Sequence, residues 1–415
     1  MRYPVAQPLA LYLHIPFCQA RCHYCAFNTY AGLKALHVPY VAALARAITL
    51  WGKALGPDWE VRTIFFGGGT PSLLPEGDIA RILDSVHQSF RVAADPEVSL
   101  EANPGTVEHG SFRELRAAGV NRLSIGVQSF QRRWLRFLGR IHSTDEAVAA
   151  YNEARAAGFE NINLDLIYGM PGQTAAEWED DLLQAIALGP EHLSCYSLIV
   201  EEGTILARGV ASGRIPPPDP DEAADRHEEA ERLLASAGYE QYEICNWSRP
   251  DRRCRHNLVY WHNEPWLGLG PGARSYLSPY RFADIEEPDQ YILRLAGPAY
   301  DGLADSLESG SFVPEEAALR EMPVVGFIER LSPELERAET AILGLRLNAG
   351  LSRARFVKRF GEDPAELYAD ALAEMIAWDL VEVTPSALRL TASGRLLGNE
   401  VFARLLPPPP AGGSA

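Results

Sequence analysis

Between positions 11 and 198, β-rich runs alternate with amphipathic helical runs. Strands fall at 11–15, 61–66, 98–101, 122–127, 161–167 and 192–198, and helices at 33–55, 76–90, 111–118, 144–157 and 175–188, with another at 222–237. Such alternation predicts a mainly parallel sheet joined by crossover helices. The strands constrain the fold further, because side chains alternate faces along a strand. Leu123, Ile125 and Val127 oppose Ser124, Gly126 and Gln128; Ile162, Leu164 and Leu166 oppose Asn163 and Asp165; Val98 and Leu100 oppose Ser99 and Glu101. One sheet face is therefore apolar and meets helices, while the other is polar or small. An open doubly wound sheet buries both faces and reads apolar throughout. The expected α/β fold is instead a curved sheet around a polar lumen, a partial (β/α)6 TIM-like barrel.

Cys18, Cys22 and Cys25 follow the first strand. Three thiolates this close can surround one small inorganic centre. A four-iron cluster is normally held by four thiolates. Three leave one iron open, as a cluster needs if it is to bind and reduce a small molecule. The alternative is a structural zinc site, which accepts cysteine pairs at such spacing, with His14 or His23 as fourth ligand. The next Cys/His pair, Cys254 and His256, lies far along the chain.

Active sites of βα-barrels lie at the C-terminal ends of the strands. The cysteine loop follows strand one, Gly67-Gly68-Gly69-Thr70-Pro71 follows strand two, Glu101 ends strand three, Gln128 ends strand four and Asp165 lies late in strand five. All five features should converge on one mouth. Exposed backbone at Gly68 and Gly69, with Thr70, offers hydrogen bonds to a ligand there. The glycine run lacks the spacing of a dinucleotide site, and taken alone it reads as a tight turn. Arg140 can pair with a ligand carboxylate, or with Asp165 in an internal salt bridge. His256 opens a His-Asn-x-x-Tyr-Trp stretch ending at Trp261. A histidine among aromatics reads either as a satisfied core residue or as a haem ligand.

A chain of 415 residues exceeds one ordinary domain. Residues 1–300 read as the barrel and its continuation, and 301–333 as a boundary. Residues 334–406 read as a small winged-helix-like domain with helices at 334–347, 353–360, 364–378 and 395–405, and a hairpin of 380–384 with 387–391. The Pro/Gly-rich stretch 407–415 reads as a disordered tail. The candidate recognition helix carries Glu366, Asp370 and Glu374 and no Lys or Arg, and the net charge is −17, so no nucleic-acid partner is expected. No stretch approaches the ~20 uninterrupted apolar residues of a membrane span. The first motif begins at Tyr12, which leaves no room for a cleaved signal peptide, and six cysteines in a chain this long make no disulfide framework. A cytoplasmic location is expected.

Tyr12-Leu13-His14-Ile15-Pro16-Phe17-Cys18, followed by Cys22, Tyr24 and Cys25, resembles the cluster loop of the radical-SAM family. Within that family the order of the later motifs is most similar to the oxygen-independent coproporphyrinogen dehydrogenases and the related haem chaperones. The resemblance implies the partial barrel, a 4Fe-4S cluster on Cys18, Cys22 and Cys25, and S-adenosylmethionine on its open iron. By the same resemblance, Tyr12, Gly68 and Glu101 align with contacts to the cluster-bound molecule. Tyr24, Gly69, Thr70, Gln128, Arg140 and Asp165 align with contacts to a second S-adenosylmethionine described in the dehydrogenase. His256 and its neighbours are similar to a chaperone motif whose histidine is implicated in haem binding.

The dehydrogenases carry a fourth cysteine two residues after the third. This chain has Phe27 there, as the chaperones do, although Ala26 stands where the chaperones commonly have Asp. The resemblance therefore implies a haem chaperone that passes haem to an acceptor protein, a respiratory one among the candidates, and that draws on an electron donor. The other reading is the dehydrogenase itself, in which a radical from S-adenosylmethionine abstracts hydrogen from a propionate side chain.

Overall fold

A computed structural model describes residues 6–106, 111–310 and 312–407. Six strands lie side by side and parallel in chain order: β1 (Gln7–Ile15), β2 (Trp59–Gly68), β3 (Arg91–Ala102), β4 (Arg122–Gln128), β5 (Ile162–Tyr168) and β6 (His192–Ser197). The crossovers are helical: α1 (His37–Leu55), α2 (Glu76–Ser89), α3 (Ser111–Ala117), α4 (Arg132–Leu138), α5 (Thr144–Ala156) and α6 (Ala175–Leu188). Two helices, not one, join β4 to β5. Local chemistry sets several boundaries. Ser143 with Glu146, and Thr174 with Glu177, form capping boxes that start α5 and α6. Helix α1 buries Val41, Leu44, Ile48 and Trp51 in one continuous core with the apolar strand faces. The opposite faces place Ser99, Ser124, Asn163 and Ser194, all buried, in the lumen.

After α7 (Ile205–Ala211) and α8 (Pro220–Ser236) comes a hairpin, β7 (Glu240–Glu243) and β8 (Asn246–Ser248), with β8 antiparallel to β6. Helix α9 (Arg255–Trp261) follows. Strand β9 (Trp266–Leu269) then pairs parallel with the far side of β1, setting Tyr12 opposite Gly268. Seven parallel strands thus enclose the lumen, one more than the alternation predicts. All four residues of β9 are buried, so no polar/apolar alternation marks it. Strands β10 (Arg274–Leu277), β11 (Tyr280–Asp284) and β12 (Val325–Arg330) complete the order β12-β11-β10-β9-β1-β2-β3-β4-β5-β6-β8-β7. The stretch 301–333, expected as a boundary, thus carries the edge strand of the large sheet as well as the helix Glu316–Glu321.

The C-terminal region is winged-helix-like. Helix Pro333–Leu345 and helix Arg353–Phe360 pack with a three-stranded antiparallel sheet around Ala341, Leu345, Phe356, Leu372 and Leu388. The expected helix at 364–378 is broken at Tyr368, whose ψ of 23° leaves the helical range, into Pro364–Leu367 and Ala369–Ala377. The domain docks on the barrel's continuation through Arg281–Glu339, Arg395–Glu231 and a 2.9 Å hydrogen bond from Asn263 Nδ2 to Thr340 Oγ1. From residue 408 on, the expected tail lies outside the described residues. No helix among them is long and apolar enough to cross a membrane.

A Cβ on Gly268 would stand 2.1 Å from the carbonyl oxygen of Arg274 in the neighbouring strand. Gly268→Ala should therefore push β10 away from β9 and cost about 1–3 kcal/mol of stability, read from the midpoint of urea unfolding.

Candidate functional site

The C-terminal ends of the strands open on a cavity of about 460 Å³. Cys18, Cys22 and Cys25 line it, together with Tyr24, Gly68, Gly69, Thr70, Glu101, Gln128, Arg140 and Asp165. A second cavity of about 210 Å³ is lined by residues earlier in the strands, such as Ser124, Asn163 and Ser194, and so lies deeper in the lumen. Tyr12 and His256 face this deeper space, and Glu101 and Asp165 border both.

The cysteine loop and the glycine loop are fastened to each other. Beyond the ends of β1 and β2, Gly69 N donates to Ile15 O and Thr70 N to Phe17 O, both at 2.8 Å. A Cβ on Gly69 would lie 2.6 Å from Phe17 O, so only glycine permits this approach. Gly68 N donates to Glu101 Oε2 at 3.2 Å. The amides expected to face a ligand are therefore used to build the loop. Thr70 Oγ1 donates to Cys18 Sγ at 3.6 Å and accepts from Asn103 Nδ2 at 2.8 Å.

The donor set can be tested against the two inorganic readings. Among the described residues, no three His, Cys, Asp or Glu side chains converge tightly enough to hold one metal ion. His14 donates from Nε2 to Asn28 O and accepts at Nδ1 from Tyr12, while His23 Nδ1 donates to Phe137 O. Neither imidazole joins the cysteines, and a single zinc finds no fourth ligand there. Three free thiols spread around a roomy cavity fit a polynuclear centre instead. Burial raises the Cys18 and Cys25 thiols above their ordinary values, a penalty that a cationic centre beside them offsets.

Arg140 and Asp165 do not pair. The guanidinium donates to Asn103 Oδ1, to Gly126 O at 2.7 Å and to Cys22 Sγ at 3.5 Å, and meets no carboxylate among the described residues. Asp165 instead accepts from Ser124 Oγ and Asn163 Nδ2, each at 2.9 Å. Burial raises Asp165, and burial followed by the nearby Asp165 pushes Glu101 up to about 8. A register shift of β4 against β5 delivers Gln128 to the mouth with φ +67°, a left-handed conformation unusual for a side chain of its size. Asn103, which joins Thr70 to Arg140, and Ser124, which holds Asp165, were not singled out in the sequence. Asn103 directly follows strand three, and Ser124 lies on the polar face of strand four.

His256 sits in α9 and is 1% exposed. Its Nδ1 bonds Thr63 Oγ1 at 2.8 Å, its Nε2 bonds the Tyr260 hydroxyl at 2.9 Å, and its backbone N donates to Glu97 Oε1. Burial, then the buried Arg122, pushes its pKa down to about 3. Both ring nitrogens of His256 are thus engaged by hydroxyl groups within the lumen.

Two outcomes follow from this geometry. His256→Ala should cost about 1–3 kcal/mol, because it strips the buried Thr63 and Tyr260 hydroxyls of their partner; urea unfolding measures it. The raised Glu101 favours folding in its protonated form, so its contribution is full below about 4.5 and is lost as pH rises through about 8. Stability of the ligand-free protein should fall across that window, and Glu101→Gln should flatten the fall in a pH series of unfolding curves.

Comparison with known proteins covers both parts of the chain. Residues 12–185 match the Radical SAM superfamily and residues 331–397 the HemN C-terminal domain. A heme chaperone HemW from Mycobacterium tuberculosis is 39% identical over 407 residues, 96% of this chain and 95% of that protein. The heme chaperone HemW of Bacillus subtilis is 35% identical, with 95% and 98% covered. Among solved structures, the coproporphyrinogen III oxidase HemN from Escherichia coli, a radical-SAM enzyme, superposes with a TM-score of 0.77 at 26% identity, covering 97% of this chain and 91% of that one. With the barrel, the C-terminal domain and the cysteine loop all accounted for, this chain belongs to the HemW heme-chaperone family of radical-SAM proteins.

Proposed function

We propose that this chain is a haem chaperone that binds a 4Fe-4S cluster and S-adenosylmethionine in the mouth of its barrel and hands haem to an acceptor protein. The observation that carries this reading is one cavity that joins three free thiols, a guanidinium without a carboxylate partner and two buried carboxyl groups. A cluster on Cys18, Cys22 and Cys25 would supply an open iron and a source of single electrons. The protein's own groups do the rest. Arg140 is placed to hold a carboxylate of a ligand, and Glu101 and Asp165 to accept hydrogen bonds from an ammonium or from ribose hydroxyls. Gln128 adds an amide at the rim. The names of the relatives extend the reading to haem as cargo.

Phe27 argues against the dehydrogenase. It stands 68% exposed on the wall of the cavity, where it can neither ligate a metal nor move a proton. With Ile141 and Ile199, 55% and 65% exposed, it makes the mouth apolar at its rim.

Anaerobic reconstitution should load one four-iron cluster per chain in the wild type and none in Cys18→Ser, Cys22→Ser or Cys25→Ser, by iron and sulfide analysis with Mössbauer spectra. Stoichiometric zinc would count against the cluster. Glu101→Ala should weaken S-adenosylmethionine binding by about 1–3 kcal/mol with the cluster retained, by calorimetry. The wild type should bind haem in titration and leave coproporphyrinogen unconverted when given a reductant and S-adenosylmethionine. Turnover of coproporphyrinogen would overturn the chaperone reading.

A further inference from the structure

Arg122 opens β4 and shares its lumen-facing side with Ser124, Gly126 and Gln128. It is 2% exposed, its Nε has no partner, and its guanidinium makes no hydrogen bond or ion pair among the described residues. Ser99, its register partner in β3, likewise keeps a buried Oγ without a partner. A buried cation left alone is unfavourable, and such groups are normally paired. The carboxyl groups around Arg122 are committed elsewhere. Glu97 accepts from the backbone N of Arg255 and of His256, each at 2.9 Å, and from Cys254 Sγ at 3.6 Å. Asp165 accepts from Ser124 and Asn163. Glu101, pushed up to about 8 by burial and then by Asp165, is uncharged near pH 7.

The guanidinium instead lines the deeper cavity of about 210 Å³. Tyr12, Phe65 and Tyr260 give that chamber aromatic walls, with the Tyr12 and Phe65 rings 6.3 Å apart and 26° from parallel. Asn257 lines it too, and its side-chain amide makes no hydrogen bond among the described residues. Glu101, Ser124, Asp165 and Tyr196 line both cavities, so the chamber opens toward the mouth. A guanidinium presents a planar fork of N–H donors that matches the two oxygens of a carboxylate. Flat aromatic walls beside it suit a flat body. The chamber is too small for a porphyrin, so its occupant is a small molecule.

We propose that the deep lumen is a binding site for a small planar oxyanion of the formate, acetate or bicarbonate kind, paired by the Arg122 guanidinium and bonded further by the Asn257 amide. The site supplies the counter-charge that the fold withholds from Arg122. It stands apart from haem and from the cluster, and goes beyond the haem-chaperone reading without resting on it. Because the chamber opens toward the mouth, a molecule seated in the mouth lies across that way out and slows the anion's release.

The test is calorimetric titration of the full-length chain with sodium formate, acetate and bicarbonate, against sodium chloride at equal ionic strength. The wild type should bind one such anion per chain, and its thermal unfolding midpoint should rise with anion concentration by mass action. Loss of a charged hydrogen-bonding partner costs on the order of 10–100-fold in affinity, and Arg122→Gln should weaken formate binding by that much. Arg122→Lys, which keeps the charge and loses the fork, should weaken it less. Where Arg122→Gln fails to fold, Tyr196→Trp decides, because it narrows the chamber and leaves the guanidinium in place: lost formate binding supports the site, and wild-type affinity overturns it. No saturable binding by the wild type, a response no larger than that to chloride, or equal affinity in Arg122→Gln would each overturn the proposal. None of these outcomes bears on haem or cluster binding, so the chaperone reading stands or falls separately.

Discussion

Two backbone hydrogen bonds past the end of a parallel strand pair hold the site in register. Through Gly69 N to Ile15 O and Thr70 N to Phe17 O, the ladder between β1 and β2 continues beyond both strands. The cysteine loop is thereby an extension of β1, itself flanked on its other side by β9. A loop carrying three thiols would otherwise be free to wander. Here it is tied down by the backbone alone, and the tie depends on a residue with no side chain.

Behind the mouth the lumen is a layer of short polar side chains bonded to one another. Asn163 Nδ2 donates to Ser124 Oγ, Ser124 Oγ to Asp165, and Ser194 Oγ to Asn246 Oδ1, while Asn163 Oδ1 bonds His192. Such a network rigidifies a core when its members are satisfied. It also keeps the lumen poorly solvated, which is why Glu101 and Asp165 are both shifted toward their neutral forms. A cationic ligand entering the cavity therefore meets, at Glu101, a carboxyl group that releases a proton to receive it.

Much of this was legible in the chain. The one-sided strands at 98–101, 122–127 and 161–167 announced a curved sheet with a polar interior, and the residues at their ends do meet around one cavity. What periodicity missed was non-local. Strand β9 is too short and too buried to alternate, and its partner lies more than two hundred positions away. Tyr368 breaks a helix whose apolar spacing reads as continuous. At the site, residue types were readable but their partners were not: the glycine amides turn inward, Arg140 takes Asn103 and not Asp165, and His256 is claimed by Thr63 and Tyr260. Hydrogen-bond partners from other strands leave no trace in local spacing.

The apolar rim of Phe27, Ile141 and Ile199 has a consequence for life in air. Exposed apolar surface is unfavourable in water, and covering it is favourable whatever does the covering. The same three side chains line the cavity on which the thiols of Cys18, Cys22 and Cys25 open, an approach by which dioxygen can reach them. Whatever apolar body settled on the rim would also hinder the oxidant's access to the thiols, so covering the rim and shielding the cysteines would become a single event driven by one burial of surface.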